Sequence, residues 1–205
     1  MGNRLFGFIK KNSNKKIEKN IFLLVGRNQE PEALLSLYEN NSDIMKNCKI
    51  NIITPEVEWY PKPSGITNQN KSIKGLVKTS LSLRHVIDDI INLEKIDPEK
   101  TIIGGYSAGA VVAFQIWMTS KIKTCISHSG CILNVDNIIL NETQKKCLLI
   151  HNRDDEIFTW EERYLPTRNS LVALNYDVTA IEGTYGGHSI SDKHIRYVSN
   201  YLDLF

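Results

Sequence analysis

The chain has 205 residues, of which 41% are hydrophobic and 23% charged, with a formal net charge of +2. That length suits one substantial domain and is short for two, and the composition is that of a globular protein. The charge is too small to argue for a nucleic-acid partner, and the AVVAF run at 110–114 is far too short to span a bilayer.

Residues 1–20 read as a basic, polar segment in which Lys10, Lys11, Lys15, Lys16 and Lys19 lie among asparagines, a solvated end with room for an edge strand. The LFGFI stretch is short for the apolar part of a signal peptide and runs into lysines. Met1-Gly2 is followed by Phe6 where a myristoylation signal needs Ser or Thr. Residues 21–205 read as a single domain. IFLLV (21–25) is a short, continuous apolar run of the kind found in strands buried on both faces. A short helix around Leu34–Tyr38 follows, then a second strand, KINIIT (49–54). The stretch 55–72, PEVEWYPKPSGITNQNKS, is the least regular, with three prolines and an exposed-looking Trp59-Tyr60 pair, and reads as a long functional loop.

Apolar spacing then predicts a helix through Val77–Leu93 that stops before Asp97-Pro98. TIIGG (101–105) is a strand, and 108–118 a helix apolar nearly all round, hence buried against a sheet. Strands at TCISHS (124–129), CLLIH (147–151) and YDVTAI (176–181) alternate with helices at Glu161–Leu174 and Ser189–Leu204. Strands alternating with helices imply crossover units, and so a mostly parallel twisted sheet covered by helices on both faces. Cys48, Cys125, Cys131 and Cys147 include no C-x-x-C pair, so no metal site is expected. A cytoplasmic setting fits best.

The chemistry concentrates at GGYSAGA, 104–110, where Ser107 stands between a strand and a helix in a G-x-S-x-G pattern. Such a turn forces strained backbone on the serine, and Gly105 and Gly109 remove side chains that would collide with neighbouring elements. The helix aims its free N–H groups at the site, which makes the Ala108 amide one oxyanion donor. A serine hydroxyl needs a general base, usually a histidine held by a carboxylate. His188 lies in a Gly-rich loop after the last strand, where the base belongs; His128 and His151 end strands and are placed to orient backbone. The acid belongs to LLIHNRDDEIF, which offers Asp154, Asp155 and Glu156.

Three blocks together resemble the α/β-hydrolase superfamily, and within it the phospholipase/carboxylesterase group that includes the acyl-protein thioesterases. GGYSAGAVVAFQI resembles the group's G-G-F-S-Q-G elbow, HNRDDEIFTW its H-G-x-x-D-x-x-V acid loop, and YGGHSISDKHIRYVSNYLDLF its G-x-G-H-S loop and terminal helix. Aligned on His151, the resemblance implies Asp155 as the acid and Asp154 as a neighbour. Asp155→Asn is then expected to cripple turnover and Asp154→Asn to be mild. The family's Leu-His-Gly-x-Gly becomes LLVGRN here; Gly26 matches the first glycine, Asn28 replaces the second, and the resemblance implies the Arg27 amide as second oxyanion donor. Asn152 and Arg153 replace the usual Gly-Asp. The implied activity is hydrolysis of a small-molecule or lipid-like acyl ester or thioester through Ser107, Asp155 and His188, with no cofactor. Trp59, Tyr60 and Phe158 are candidates for an acyl pocket. A same-fold peptidase or other acyl hydrolase, and a non-catalytic hydrolase-like binding protein, stand as alternatives; oligomeric state is not readable.

Overall fold

A computed structural model describes residues 6–12, 17–62, 66–133 and 145–203; Met1-Gly2, Lys15, Lys16 and the last residue of the terminal helix expectation, Leu204, lie outside them. Among the described residues seven strands form one sheet: β1 (Phe6–Lys11), β2 (Lys19–Leu24), β3 (Cys48–Pro55), β4 (Thr101–Tyr106), β5 (Thr124–His128), β6 (Lys146–Asn152) and β7 (Asp177–Gly183). Their order is β1-β3-β2-β4-β5-β6-β7, parallel throughout except for β1, which runs antiparallel to β3 at the edge. Asn20 to Leu24 are all buried. Successive strand side chains point to opposite faces, so β2 is covered on both sides, which is why its sequence is a run rather than an alternation.

The helices are α1 (Pro31–Glu39), α2 (Ser42–Asn47), α3 (Ile66–Leu93), α4 (Ala108–Thr119), α5 (Leu165–Ala173) and α6 (Asp192–Leu202). Pro31 at the first turn of α1 and the Asn41 side chain, which accepts from the Asp43 and Ile44 amides ahead of α2, mark two helix starts. α4 packs on β2, β4 and β5 and against α3, while α6 packs on β6, α1 and α2. Among the described residues no helix is long and apolar enough to cross a membrane.

Three elements differ from the sequence expectation, one of them α2, a six-residue helix where none was expected. α3 begins at Ile66, so the irregular stretch ends there rather than at residue 72. Residues 66–72 are polar apart from the isoleucine at its start, and polarity hid a helix that the sheet does not need to cover. The expected helix 161–174 opens instead as a wide turn, Trp160–Tyr164, with i→i+5 hydrogen bonds such as Tyr164 N–H to the Thr159 carbonyl; Pro166 follows at the start of α5.

β2 sends the chain to β3 on one side and, after β3, to β4 on the other, so the order of strands reverses between β2 and β4. Open parallel sheets bind ligands in the crevice beyond the carboxyl ends of the strands at such a point. The turn after β2 and the turn after β4 are those of LLVGRN and GGYSAGA.

Candidate active site

Ser107 sits between β4 and α4 with φ 54° and ψ −123°, a region costly for any residue with a side chain. Its amide donates to the His128 carbonyl at 2.9 Å, which anchors the turn to the end of β5. The flanking glycines are required by proximity. A Cβ at Gly105 would lie 2.7 Å from both the Gly109 carbonyl carbon and the Leu24 carbonyl oxygen, and one at Gly109 would overlap the Leu24 and Val25 carbonyls. The amino end of α4 is thereby pressed against the turn that follows β2. The Ala108 N–H is the first of the helix and has no intrahelical acceptor.

His188 stands over this turn. Its Nε2 is 2.7 Å from Ser107 Oγ, and its Nδ1 is 2.8 and 2.9 Å from the two Asp155 carboxylate oxygens. With Nδ1–H directed at the carboxylate, Nε2 is left to accept the serine proton. Asp155 is buried and its Oδ1 also accepts the Ile157 and Phe158 amides at 2.9 and 2.8 Å. Burial pushes this carboxyl up, but the His188 hydrogen bond and charge, with those two amides, outweigh it and hold the group below its usual range. Phe158 is half-buried and meets the His188 ring edge-on at 5.5 Å.

Of the two strand-end histidines, only His151 orients backbone through its ring. His151 Nε2–H donates to the Phe158 carbonyl at 2.7 Å and so braces the acid loop; burial first of all keeps this imidazole neutral. His128 offers its carbonyl to Ser107, while its Nε2 meets the Tyr38 hydroxyl at 2.9 Å. Burial pushes its own pKa down to about 3.

In LLVGRN, Asn28 takes φ 57°, the left-handed conformation for which glycine is favoured and asparagine tolerated, which accounts for the substitution. Gly26 N–H donates to Gln29 Oε1 at 2.8 Å. The Arg27 guanidinium does not stand alone: it pairs with Glu58 at 2.6 Å and donates to the Tyr60 carbonyl at 2.8 Å. Trp59 and Tyr60 are buried at 2% and 4% exposure, not exposed as their loop setting suggested. Trp59 stacks on Phe6 and its indole N–H donates to the Val25 carbonyl at 2.7 Å. These two aromatics support the turn after β2 from beneath, and of the three expected pocket residues only Phe158 lies against His188.

The fold brings three further side chains to the histidine loop: Tyr106 and Asn152, whose part sequence reasoning missed, and Asp154, which it placed only as a neighbour of the acid. Asp154 is exposed, yet its carboxylate accepts the Gly187 and Gly186 amides at 2.8 and 3.0 Å, which hold it below the usual carboxylate range. Two acidic residues in a row before a turn were the signal available in the sequence. Which backbone each would face was not.

A family model described as Phospholipase/Carboxylesterase matches residues 48–205. The chain belongs to the phospholipase/carboxylesterase family, and it is an esterase-type hydrolase with the α/β-hydrolase fold. Among solved structures it is similar to esterase PE8, at 18% identity and a TM-score of 0.83 over 97% of this chain and 98% of that one. It is likewise similar to the Bacillus cereus carboxylesterase, at 16% identity and a TM-score of 0.83 over 98% and 95%. Arabidopsis thaliana SOBER1 follows at 15% identity and a TM-score of 0.75, over 91% and 98%. No curated protein matches the chain.

Proposed function

We propose that the protein hydrolyses carboxylic esters or thioesters through a Ser107-His188-Asp155 triad and an acyl-enzyme intermediate. The observation that carries this reading is the unbroken contact chain from Ser107 Oγ through His188 to Asp155, at 2.7 and 2.8 Å, with the serine held in strained backbone at a helix amino end. Ser107 attacks the acyl carbonyl as His188 Nε2 takes its proton; Asp155 holds the imidazole in that tautomer and stabilises the imidazolium. The Ala108 and Arg27 amides receive the oxyanion. The imidazolium then protonates the leaving alcohol or thiol, and water activated by His188 releases the acid.

The substrate is a small-molecule or lipid-like acyl ester or thioester, with Phe158 beside the histidine as its apolar contact. The four cysteines are all free and buried, which supports a reducing, cytoplasmic setting. The test is labelling by a fluorophosphonate probe beside a Ser107→Ala variant, followed by p-nitrophenyl esters of increasing length. The parent should label and the variant should not. An unlabelled native parent overturns the reading, and labelling that persists in the variant overturns the choice of serine.

A further inference from the structure

Resting on the triad reading, we propose that Tyr106, Asn152 and Asp154 form a clamp on the main chain of residues 186–188, and that this clamp positions His188 against Ser107. None of the three touches the reacting atoms. Each grips backbone. Tyr106, the residue just before the serine, donates its hydroxyl proton to the His188 carbonyl at 2.6 Å, and its ring lies 5.2 Å from the imidazole. Asn152, at the end of β6, donates from Nδ2 to the Gly187 carbonyl at 3.0 Å. Asp154 accepts from Gly187 and Gly186 through its two oxygens.

The loop needs holding. Gly187 takes φ 58° and Gly186 φ 143°, and Tyr185 beside them is 85% exposed. Among the described residues the loop's own hydrogen bonds run from Ser189 N–H to the Gly187 carbonyl and from the Ser189 hydroxyl to the Gly186 carbonyl, at 3.0 and 2.6 Å. The imidazole has one ring atom on Asp155 and the other on Ser107, so without further ties a shift of the loop would break both contacts together. The three side chains close that freedom from two directions: Tyr106 from the end of β4, Asn152 and Asp154 from the end of β6 and the loop after it. The Tyr106 hydroxyl is the donor because its partner is a carbonyl, and burial, with Asp155 nearby, pushes its pKa up to about 12.

Two of these residues stand where the resembling family has others. The common elbow carries Phe, which has no hydroxyl, before the serine, and the acid loop carries Gly at the position of Asn152. Here the Asn152 amide lies where a Cβ on Gly183 or Gly186 would fall, so side chain and glycines fit one another.

The experiment compares Tyr106→Phe, Asn152→Ala and Asp154→Asn with the parent and with Ile44→Val, a core trim on α2 away from the site. Tyr106→Phe removes one hydrogen bond and keeps the ring. Asp154→Asn keeps one acceptor and turns an NH2 group against a backbone N–H. For each clamp variant kcat toward a p-nitrophenyl ester should fall about tenfold, with KM within about twofold because ground-state binding is untouched. Amide hydrogen exchange at Gly186 and Gly187 should speed up in Asp154→Asn, and the far-downfield proton NMR signal of the His188–Asp155 hydrogen bond should weaken in all three. Ile44→Val should lower Tm with none of these changes. The clamp is overturned if the three variants lose only stability while kcat and the downfield signal hold, or if exchange at Gly186 and Gly187 is unaltered in Asp154→Asn. A parent that fails to label with fluorophosphonate sinks the esterase reading instead, and the exchange and NMR comparisons still decide the clamp.

Discussion

The indole N–H of Trp59 donates to the carbonyl of Val25 at 2.7 Å, tying the chain after β3 to the turn after β2 that carries Gly26 and Arg27. A side chain expected to face substrate instead holds the backbone that carries the Arg27 amide, the proposed second oxyanion donor. Trp59→Phe removes that bond while keeping most of the apolar volume against Phe6. The variant should fold, lose about 1–2 kcal/mol by denaturant melting, and show a kcat about tenfold lower as the Arg27 amide loses its fixed aim. An unchanged kcat in the folded variant would show that the turn needs no such support.

Lys145 governs the other end of α4. Its ammonium is fully buried and donates to the carbonyls of Trp117, Ser120 and Ile122 at 2.6, 2.7 and 2.8 Å, at the helix's carboxyl end. Lys145→Met should cost about 1–3 kcal/mol, the penalty for leaving buried carbonyls without donors. Burial pushes the lysine pKa down from 10.5 to about 8. The folded state therefore releases this proton before the unfolded chain does, and stability from this group rises with pH between those values. Urea melts at pH 8 and pH 10 should show the gap between parent and variant widening; a gap that narrows rejects the assignment.

Gly109→Ala places a methyl group against the Leu24 and Val25 carbonyls, both backbone, so neither can swing aside. The expected result is a loss of about 3 kcal/mol or more, or no folded protein. Gly187→Ala makes a contrast. Nothing lies within 4 Å of its Cβ, and only the φ of 58° opposes it, so the cost should be about 1 kcal/mol. Paired thermal melts rank the two.

Asp155→Asn should lower kcat by about 10⁴-fold through loss of the productive tautomer. Because the folded carboxyl is held below its ordinary 3.8, its ionised form is the one that folding favours. Its contribution to stability is full above that ordinary value and is lost as pH falls through the lower folded one. Acid titrations should show parent and Asn variant diverging at neutral pH and converging in strong acid.

Much of this was legible in the chain. β2, β4, β5 and β6 are buried along nearly their whole length, so each carries a short apolar run rather than an alternation, interrupted by few polar residues. The elbow was legible because its glycines answer to steric demands that travel with the motif. Trp59 was misread because an aromatic in a proline-rich loop looks solvent-facing until Phe6, over fifty residues earlier, is laid across it by the edge strand. The grip of Asp154 on the histidine loop was hidden for a related reason. Its partners are backbone amides of a loop some thirty residues downstream, and backbone amides have no signature in sequence. What the sequence hides is the set of side-chain-to-main-chain bonds made across the sheet, and the clamp on residues 186–188 consists of them.

The strand order has a consequence for synthesis. Of the proposed triad, Ser107 follows β4, Asp155 follows β6, and His188 comes only after β7, the strand at the sheet edge. A ribosome makes the chain amino end first, and domains form as their elements emerge. A nascent chain paired from β1 to β6 would carry Ser107 at its turn and Asp155 in its loop, yet lack the imidazole that joins them and that, against burial, helps hold the Asp155 carboxyl below its usual range. On the proposed triad, hydrolysis starts only once β7 has docked and carried His188 onto the serine turn.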